Sequence, residues 1–236
     1  MKIIPAVLEK DYLEIERKID SVSVDTETIH IDICDGLMTS QKTWPYSQSS
    51  NNRIEENSVL KDLLNEDIGL PHWENIDYEF DLMIKNPDLH TDIWGRLGAS
   101  KVIIHLSSFK DKEHINSFVS DIQLYMIDVI LAFTYDEYIE QQSLIDELIQ
   151  LSNIKSLQVM TIKNIGFQGQ SFDDRCIELI QDLRHKYNNL TLRVDGGIND
   201  DTIDNVFENV DEIVIGSAIF SKGNPRENLN YFKDLC

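Results

Sequence analysis

Apolar and polar positions along this chain repeat with two alternating periods. Short apolar-rich runs, alternating most clearly at Ile29–Cys34, fall at Ile3–Leu8, Ile29–Cys34, Tyr78–Ile84, Lys101–Leu106, Ile127–Phe133, Ser156–Ile162, Leu190–Val194 and Glu212–Ile215, and these read as strands. Between them the apolar positions recur at helical spacing over Tyr12–Ile19, Val59–Leu64, Leu89–Leu97, Glu113–Leu124, Glu137–Ser152, Asp173–Tyr187 and Asp200–Glu208, with a last helical segment to about Phe232. Asp136 and Asp173, the latter with Ser171 close by, stand where helix N-caps are expected. Strand and helix alternating from end to end predict an α/β protein with a parallel sheet. Eight such repeats in 236 residues, close to the roughly 250 typical of a closed barrel, predict a (β/α)8 TIM barrel with residues 1–236 as its single domain.

One connection breaks the rhythm. Leu37 to Ser58 is rich in Ser, Gln and Asn, carries Trp44-Pro45-Tyr46, and follows the second strand on the carboxyl side where barrel sites are built. A loop of that length is either a lid or a disordered stretch. Composition adds limits. With 42% hydrophobic residues the chain can bury a core, and no apolar run approaches the ~18 residues of a membrane span. The start, Met1 to Leu8, reads as a first strand rather than a signal peptide. The formal charge of −21 repels phosphate backbones and anionic lipid, so neither nucleic acid nor membrane is expected as a partner. Cys34, Cys176 and Cys236 form no disulfide framework, which suits a reducing, cytoplasmic setting. Many barrels associate with their own copies, and a homo-oligomer is compatible with this chain, although no seam is legible.

The chemistry concentrates at strand ends. His30, Asp32, Asp35 and Gly36 lie with or just past the polar set of strand two. A histidine and a carboxylate side by side on a buried strand cost several kcal/mol unless a cation, a ligand or a counter-charge compensates them. Strand three adds Asp81 beside Met83, strand four adds His105, expected on the pocket wall, and strand seven Asp195-Gly196-Gly197, while strand eight runs into Gly216-Ser217. His30, Asp32, Asp81 and Asp195 make a donor set for a borderline or hard divalent cation. Without it, the carboxylates would raise one another's pKa and repel an anion. Gly166 and Gly169, Gly196 and Gly197, and Gly216-Ser217 are candidates for a phosphate cradle, since glycine lets backbone N–H groups approach an anion and the loops after strands seven and eight are the usual barrel phosphate site.

These motifs resemble the ribulose-phosphate 3-epimerase family. The family's H-x-D-x-M-D-G reads here His30-Ile31-Asp32-Ile33-Cys34-Asp35-Gly36, and its His-Leu-Met reads Asp81-Leu82-Met83. Gly98-Ala99-Ser100 with His105 looks like G-A-D…H, and Val159-Met160-Thr161 with Gly166-Phe167-Gln168-Gly169-Gln170 looks like M-T-V-x-P-G-F-G-G-Q. Val194-Asp195-Gly196-Gly197-Ile198 and Gly216-Ser217-Ala218-Ile219-Phe220 match the family's V-D-G-G-I and G-S-A-I-F. The resemblance implies a metal-dependent isomerase that inverts the carbon beside the carbonyl of a phosphorylated ketose, D-ribulose 5-phosphate to D-xylulose 5-phosphate, in the pentose phosphate pathway. It further implies Asp32 and Asp195 as paired acid and base, and Met83 and Met160 as pocket walls.

The departures from the pattern carry expectations of their own. Asp81 replaces a metal-binding histidine, which leans the site from zinc towards manganese, magnesium or iron(II). Ala6 replaces a serine near the substrate and Cys34 a pocket methionine, so a hexulose 6-phosphate is an alternative substrate. Lys163-Asn164-Ile165 alters the phosphate-side loop, and Phe133-Thr134-Tyr135 lacks the family's Asn-Pro. A barrel that has lost its activity and only binds phosphosugars is a further alternative. Barrels that decarboxylate or condense phosphosugars resemble D-x-K-x-x-D on strand two, where this chain has no lysine.

Overall fold

The structure is a computed structural model that describes residues 1–235 apart from 49–52 and 153. Eight parallel strands close on one another in sequence order, the last pairing with the first. They are β1 (Lys2–Val7), β2 (Thr28–Cys34), β3 (Asp77–Met83), β4 (Lys101–His105), β5 (Asp128–Thr134), β6 (Ser156–Met160), β7 (Thr191–Asp195) and β8 (Glu212–Ile215). The helices are α1 (Tyr12–Val22), α2 (Ser58–Leu64), α3 (Thr91–Arg96), α4 (Lys112–Gln123), α5 (Tyr135–Leu151), α6 (Arg175–Lys186), α7 (Ser217–Phe220) and α8 (Pro225–Leu235). The expected barrel is the observed one.

Strand alternation sorts the side chains into two compartments. The outward set, including Ile29, Ile31, Ile33, Phe80 and Leu82, joins the helices in one continuous apolar layer. The inward set is mixed. It holds two small apolar clusters, Ile103–Ile130–Ala132–Met160 and Ile4–Ala6–Val214, and between them the buried polar groups His30, Asp32, Glu79, Asp81, His105, Gln158 and Arg193. Putting that much polar chemistry inside a barrel requires each group to find a partner.

Three local expectations change. The stretch expected as a helix over Asp200–Glu208 is a pair of 3-10 turns, Ile203–Asn205 and Phe207–Asn209. Its buried Ile203 and Val206 are three residues apart, the spacing that a 3-10 turn stacks on one side. The expected N-cap at Asp136 is displaced to Thr134, whose hydroxyl accepts from the Glu137 N–H while Glu137 reaches back to the Thr134 N–H, 2.8 Å away. Asp174, not Asp173, precedes α6 without a side-chain cap. Asp173 instead accepts from the Arg175 guanidinium.

The described part of the long loop is pinned to the barrel. Thr43 donates its hydroxyl to the Asp32 carbonyl and accepts from the Cys34 N–H, each at 2.8 Å. Trp44 is buried against Tyr12, their ring centres 5.0 Å apart, and Tyr46 is buried as well. Residues 49–52 of the loop lie outside the described residues. Asp35 ties its start to the next strand: one oxygen accepts from the Leu37 and Met38 N–H groups and the other from the Lys85 N–H at 2.8 Å. Asp35→Ala strands three backbone donors, and the expected cost is about 1–3 kcal/mol or more, read from the midpoint of urea unfolding. An unchanged midpoint would mean that water replaces these bonds.

Candidate active site

The carboxyl ends of the strands bring the polar inward set together. In the pairing of β2 with β3, His30 lies opposite Glu79, Asp32 opposite Asp81 and Cys34 opposite Met83. In that of β6 with β7, Gln158 faces Arg193 and Met160 faces Asp195. The result is one cluster in which His30, Asp32, Asp81 and Asp195 each offer an atom within 4.8 Å of the others.

His30 stands at its centre. Nε2 lies 3.4 Å from Asp32 Oδ1, 3.6 Å from Asp81 Oδ2 and 3.9 Å from Asp195 Oδ2. It is buried and makes no hydrogen bond. A buried nitrogen facing three carboxylate oxygens across gaps too wide for strong hydrogen bonds fits a shared divalent cation. The donor set, one imidazole and three carboxylates, fits it too. Burial opposes charge on His30, but the carboxylates of Asp32, Asp81 and Glu79 around it outweigh that and hold the imidazole well above its usual range. Burial pushes Asp195 up to about 7; His30 works against the rise, and Asp32 and Asp81 add to it. Burial likewise raises Asp32. Asp81 goes the other way: burial would raise it, but the adjacent His105 more than reverses that. Burial thus raises both Asp32 and Asp195, which favours their holding a proton, while Asp81 beside His105 stays ionised.

His105 is expected on the pocket wall and is instead fully buried behind Asp81, with Nε2 2.6 Å from Asp81 Oδ1. Cys34 is also off the wall, because it is wholly covered at the end of β2 where Thr43 folds over the strand. The same burial drives its thiol far above the usual range, so it is inert. The open cleft is lined by Ala6, Asp32, Met83, Met160 and Asp195 together with Gly166, Gly169, Gly196, Gly197, Gly216 and Ser217. Leu8, Ile162, Phe167, Gln168, Ile198 and Val214, which the sequence does not single out, complete its wall.

One of the cleft glycines sits where a larger residue cannot. Gly197 has φ +69°, and a Cβ there would come within 2.7 Å of the Phe172 backbone nitrogen. Its carbonyl accepts from Thr202 Oγ1 at 2.9 Å, and the Gly196 carbonyl accepts from Thr161 Oγ1. The turn after β7 is thereby held with its carbonyls engaged by neighbouring hydroxyls.

Four interior residues escaped the sequence reading. Gln158 donates to Asp81 Oδ2 at 3.1 Å and reaches Asp195 Oδ2 at 3.4 Å. Glu79 accepts from His30 Nδ1 at 2.8 Å and is paired through both oxygens with Arg193, and Arg193 also meets Glu212 at 3.1 Å. Period two would have found Glu79 and Arg193: each lies two positions before a singled-out aspartate on the same strand, and so faces the same way.

Comparison with known proteins points to one family. A family model described as the ribulose-phosphate 3 epimerase family matches residues 52–220. The ribulose-phosphate 3-epimerase of Helicobacter pylori is 25% identical over 228 residues, covering 93% of this chain and 91% of the relative. That of Schizosaccharomyces pombe is 26% identical over 239 residues, covering 96% and 90%. Among solved structures, a 3-hexulose-6-phosphate synthase superposes with a TM-score of 0.67 over 99% of both chains at 16% identity, which speaks to the fold alone. The family match covers most of the barrel and includes β3 to β8, and with it this chain belongs to the ribulose-phosphate 3-epimerase family, enzymes that isomerise carbohydrates.

Proposed function

We propose that the protein epimerises a phosphorylated ketose beside its carbonyl, with D-ribulose 5-phosphate and D-xylulose 5-phosphate as the pair, in the cytoplasm. The observation that carries the reading is the convergence of Asp32 and Asp195, from the non-neighbouring strands β2 and β7, on one cleft and on one orphaned histidine nitrogen. His30, Asp32, Asp81 and Asp195 would hold a divalent cation, with manganese, magnesium or iron(II) favoured by the carboxylate-rich set. Bound there, the cation supplies Lewis acidity that polarises the substrate carbonyl and stabilises the enediolate charge.

The chain's own residues do the rest. One of Asp32 and Asp195, ionised, takes the proton from the substrate carbon, and the other, protonated, returns one from the opposite face. Burial raises both carboxyls, Asp195 to about 7, which suits giving and taking a proton near neutral pH. Met83 and Met160 line the cleft with deformable apolar surface that keeps water from the intermediate. Backbone N–H groups of the turns at Gly166, Gly169, Gly196, Gly197 and Gly216-Ser217 receive the phosphate, which lets a protein of charge −21 bind an anion without a cationic side chain.

Ribulose 5-phosphate in deuterium oxide, added to metal-stripped protein with and without manganese, tests this by NMR of the C3 proton. Exchange together with xylulose 5-phosphate formation, only when manganese is present, is the expected result. No exchange with any divalent cation would overturn the reading, and turnover of a hexulose 6-phosphate alone would replace the substrate. Elemental analysis after reconstitution from an equimolar metal mixture tests the cation, and protein loaded chiefly with zinc would count against the hard-cation preference.

A further inference from the structure

Below the cation cluster the barrel interior holds a chain of alternating charges. Lys101 on β4 lies 3.5 Å from Glu212 on β8, and Glu212 lies 3.1 Å from Arg193 on β7. Arg193 grips both oxygens of Glu79 on β3, and Glu79 meets His30 Nδ1 at 2.8 Å. Glu79, Arg193 and His30 are all wholly buried. Burying ions at that depth is expensive even when they are paired, and a barrel floor of apolar side chains would stabilise the fold as well. The arrangement therefore calls for another purpose, and its upper end shows one.

A carboxylate held by a bidentate guanidinium stays ionised, and an ionised carboxylate only accepts hydrogen bonds. His30 Nδ1 must then carry the proton that it shares with Glu79. That leaves Nε2 as the nitrogen facing Asp32, Asp81 and Asp195, and it is the buried atom without a hydrogen-bond partner. Arg193 has a second effect. By occupying both Glu79 oxygens it keeps a fourth interior carboxylate from turning up into the cluster.

We infer that Glu79, held in place by Arg193, is a positioning residue that keeps the proton of His30 on Nδ1 and so presents Nε2 as a ligand for a divalent cation. The inference deepens the cation reading proposed above and rests on it for its purpose, while the placement of the proton can be measured without any metal. In the family of interactions where a carboxylate orients a metal-binding histidine, loss of the carboxylate typically weakens metal binding about 10–100-fold.

The test uses the full chain with labelled histidine. Nitrogen-15 NMR of metal-free wild type is expected to show a slowly exchanging proton on His30 Nδ1 with a cross-peak to Glu79 or Arg193. Glu79→Ala should lose that protection and weaken manganese binding, followed by the EPR signal of free Mn²⁺, about 10–100-fold. Glu79→Gln, whose amide oxygen still accepts from Nδ1–H, should keep the proton and recover most of the affinity, which a purely structural role for the charge would not produce. A wild-type Nδ1 without a proton overturns the inference, whether or not the variants fold. So does a folded Glu79→Ala protein with unchanged proton protection and manganese affinity. If wild type binds no manganese but does carry the protected Nδ1 proton, the cation reading fails while the positioning of the ring stands.

Discussion

Asp195→Asn is expected to lower kcat by about 10²–10⁴-fold, the usual contribution of a positioned acid or base. The substitution keeps the side chain's shape, and the contacts around it are slight: Gln158 at 3.4 Å and His30 at 3.9 Å. A fall in turnover would therefore report the missing proton transfer rather than a collapsed site. Because Asp195 is also placed among the candidate cation donors, the variant is assayed at saturating manganese with bound metal measured in parallel. A second signature separates acid/base loss from cation loss. With Asp32 intact, one epimer should still exchange its C3 proton with deuterium oxide while inversion to the other fails. Exchange without inversion supports two carboxylates acting on opposite faces, whereas loss of both points to the cation. Turnover within about threefold of wild type, far less than an acid/base role allows, would remove Asp195 from the reaction.

The second large effect is on stability. Arg193→Met takes from Glu79 and Glu212 the guanidinium they share inside the barrel, and Glu79 is wholly buried. Removing one member of a buried ion pair costs about 3–5 kcal/mol, because the remaining charge has no compensation. In a domain of this size each kcal/mol moves Tm by about 2–4 °C, so the expected fall is about 6–20 °C. The double variant Glu79→Gln/Arg193→Met removes the principal stranded charge and should recover much of the loss. That recovery distinguishes an uncompensated carboxylate from lost packing of the arginine stem, which the second substitution would not mend. A fall of less than about 2 °C for the single variant, below what one kcal/mol produces, would show that the floor of the barrel relaxes or takes up water.

Several features of this protein are legible from the chain alone because they depend on local periodicity. A strand that alternates Ile29-His30-Ile31-Asp32-Ile33 must send its isoleucines to one side and its polar residues to the other. Eight such strands alternating with helices leave few topologies other than a closed parallel barrel, and His30, Asp32, Asp81 and Asp195 then share its carboxyl end. Helix caps at Asp11, Asn57 and Asp111 are local as well, each accepting from an N–H two or three residues on, although those expected at Asp136 and Asp173 are displaced.

What the chain alone left open depends on contacts between strands far apart in sequence. Glu79 and Arg193 are 114 residues apart, and neither residue by itself distinguishes a solvated surface charge from a buried pair. His105 has the same period-two signal as His30, yet it ends behind Asp81 while His30 Nε2 opens onto the cluster. Cys34 follows the inward set of β2, and only the return of Thr43 over the strand end covers it. Sequence therefore determined the barrel, its strand order and the gathering of His30, Asp32, Asp81 and Asp195 at its carboxyl end, because alternation and chain connectivity act over a few residues at a time. Tertiary structure alone decided which of them face the cleft, which stand behind, and which charge compensates which, because those outcomes are set by the closure of the barrel and by the requirement that every buried charge find a partner.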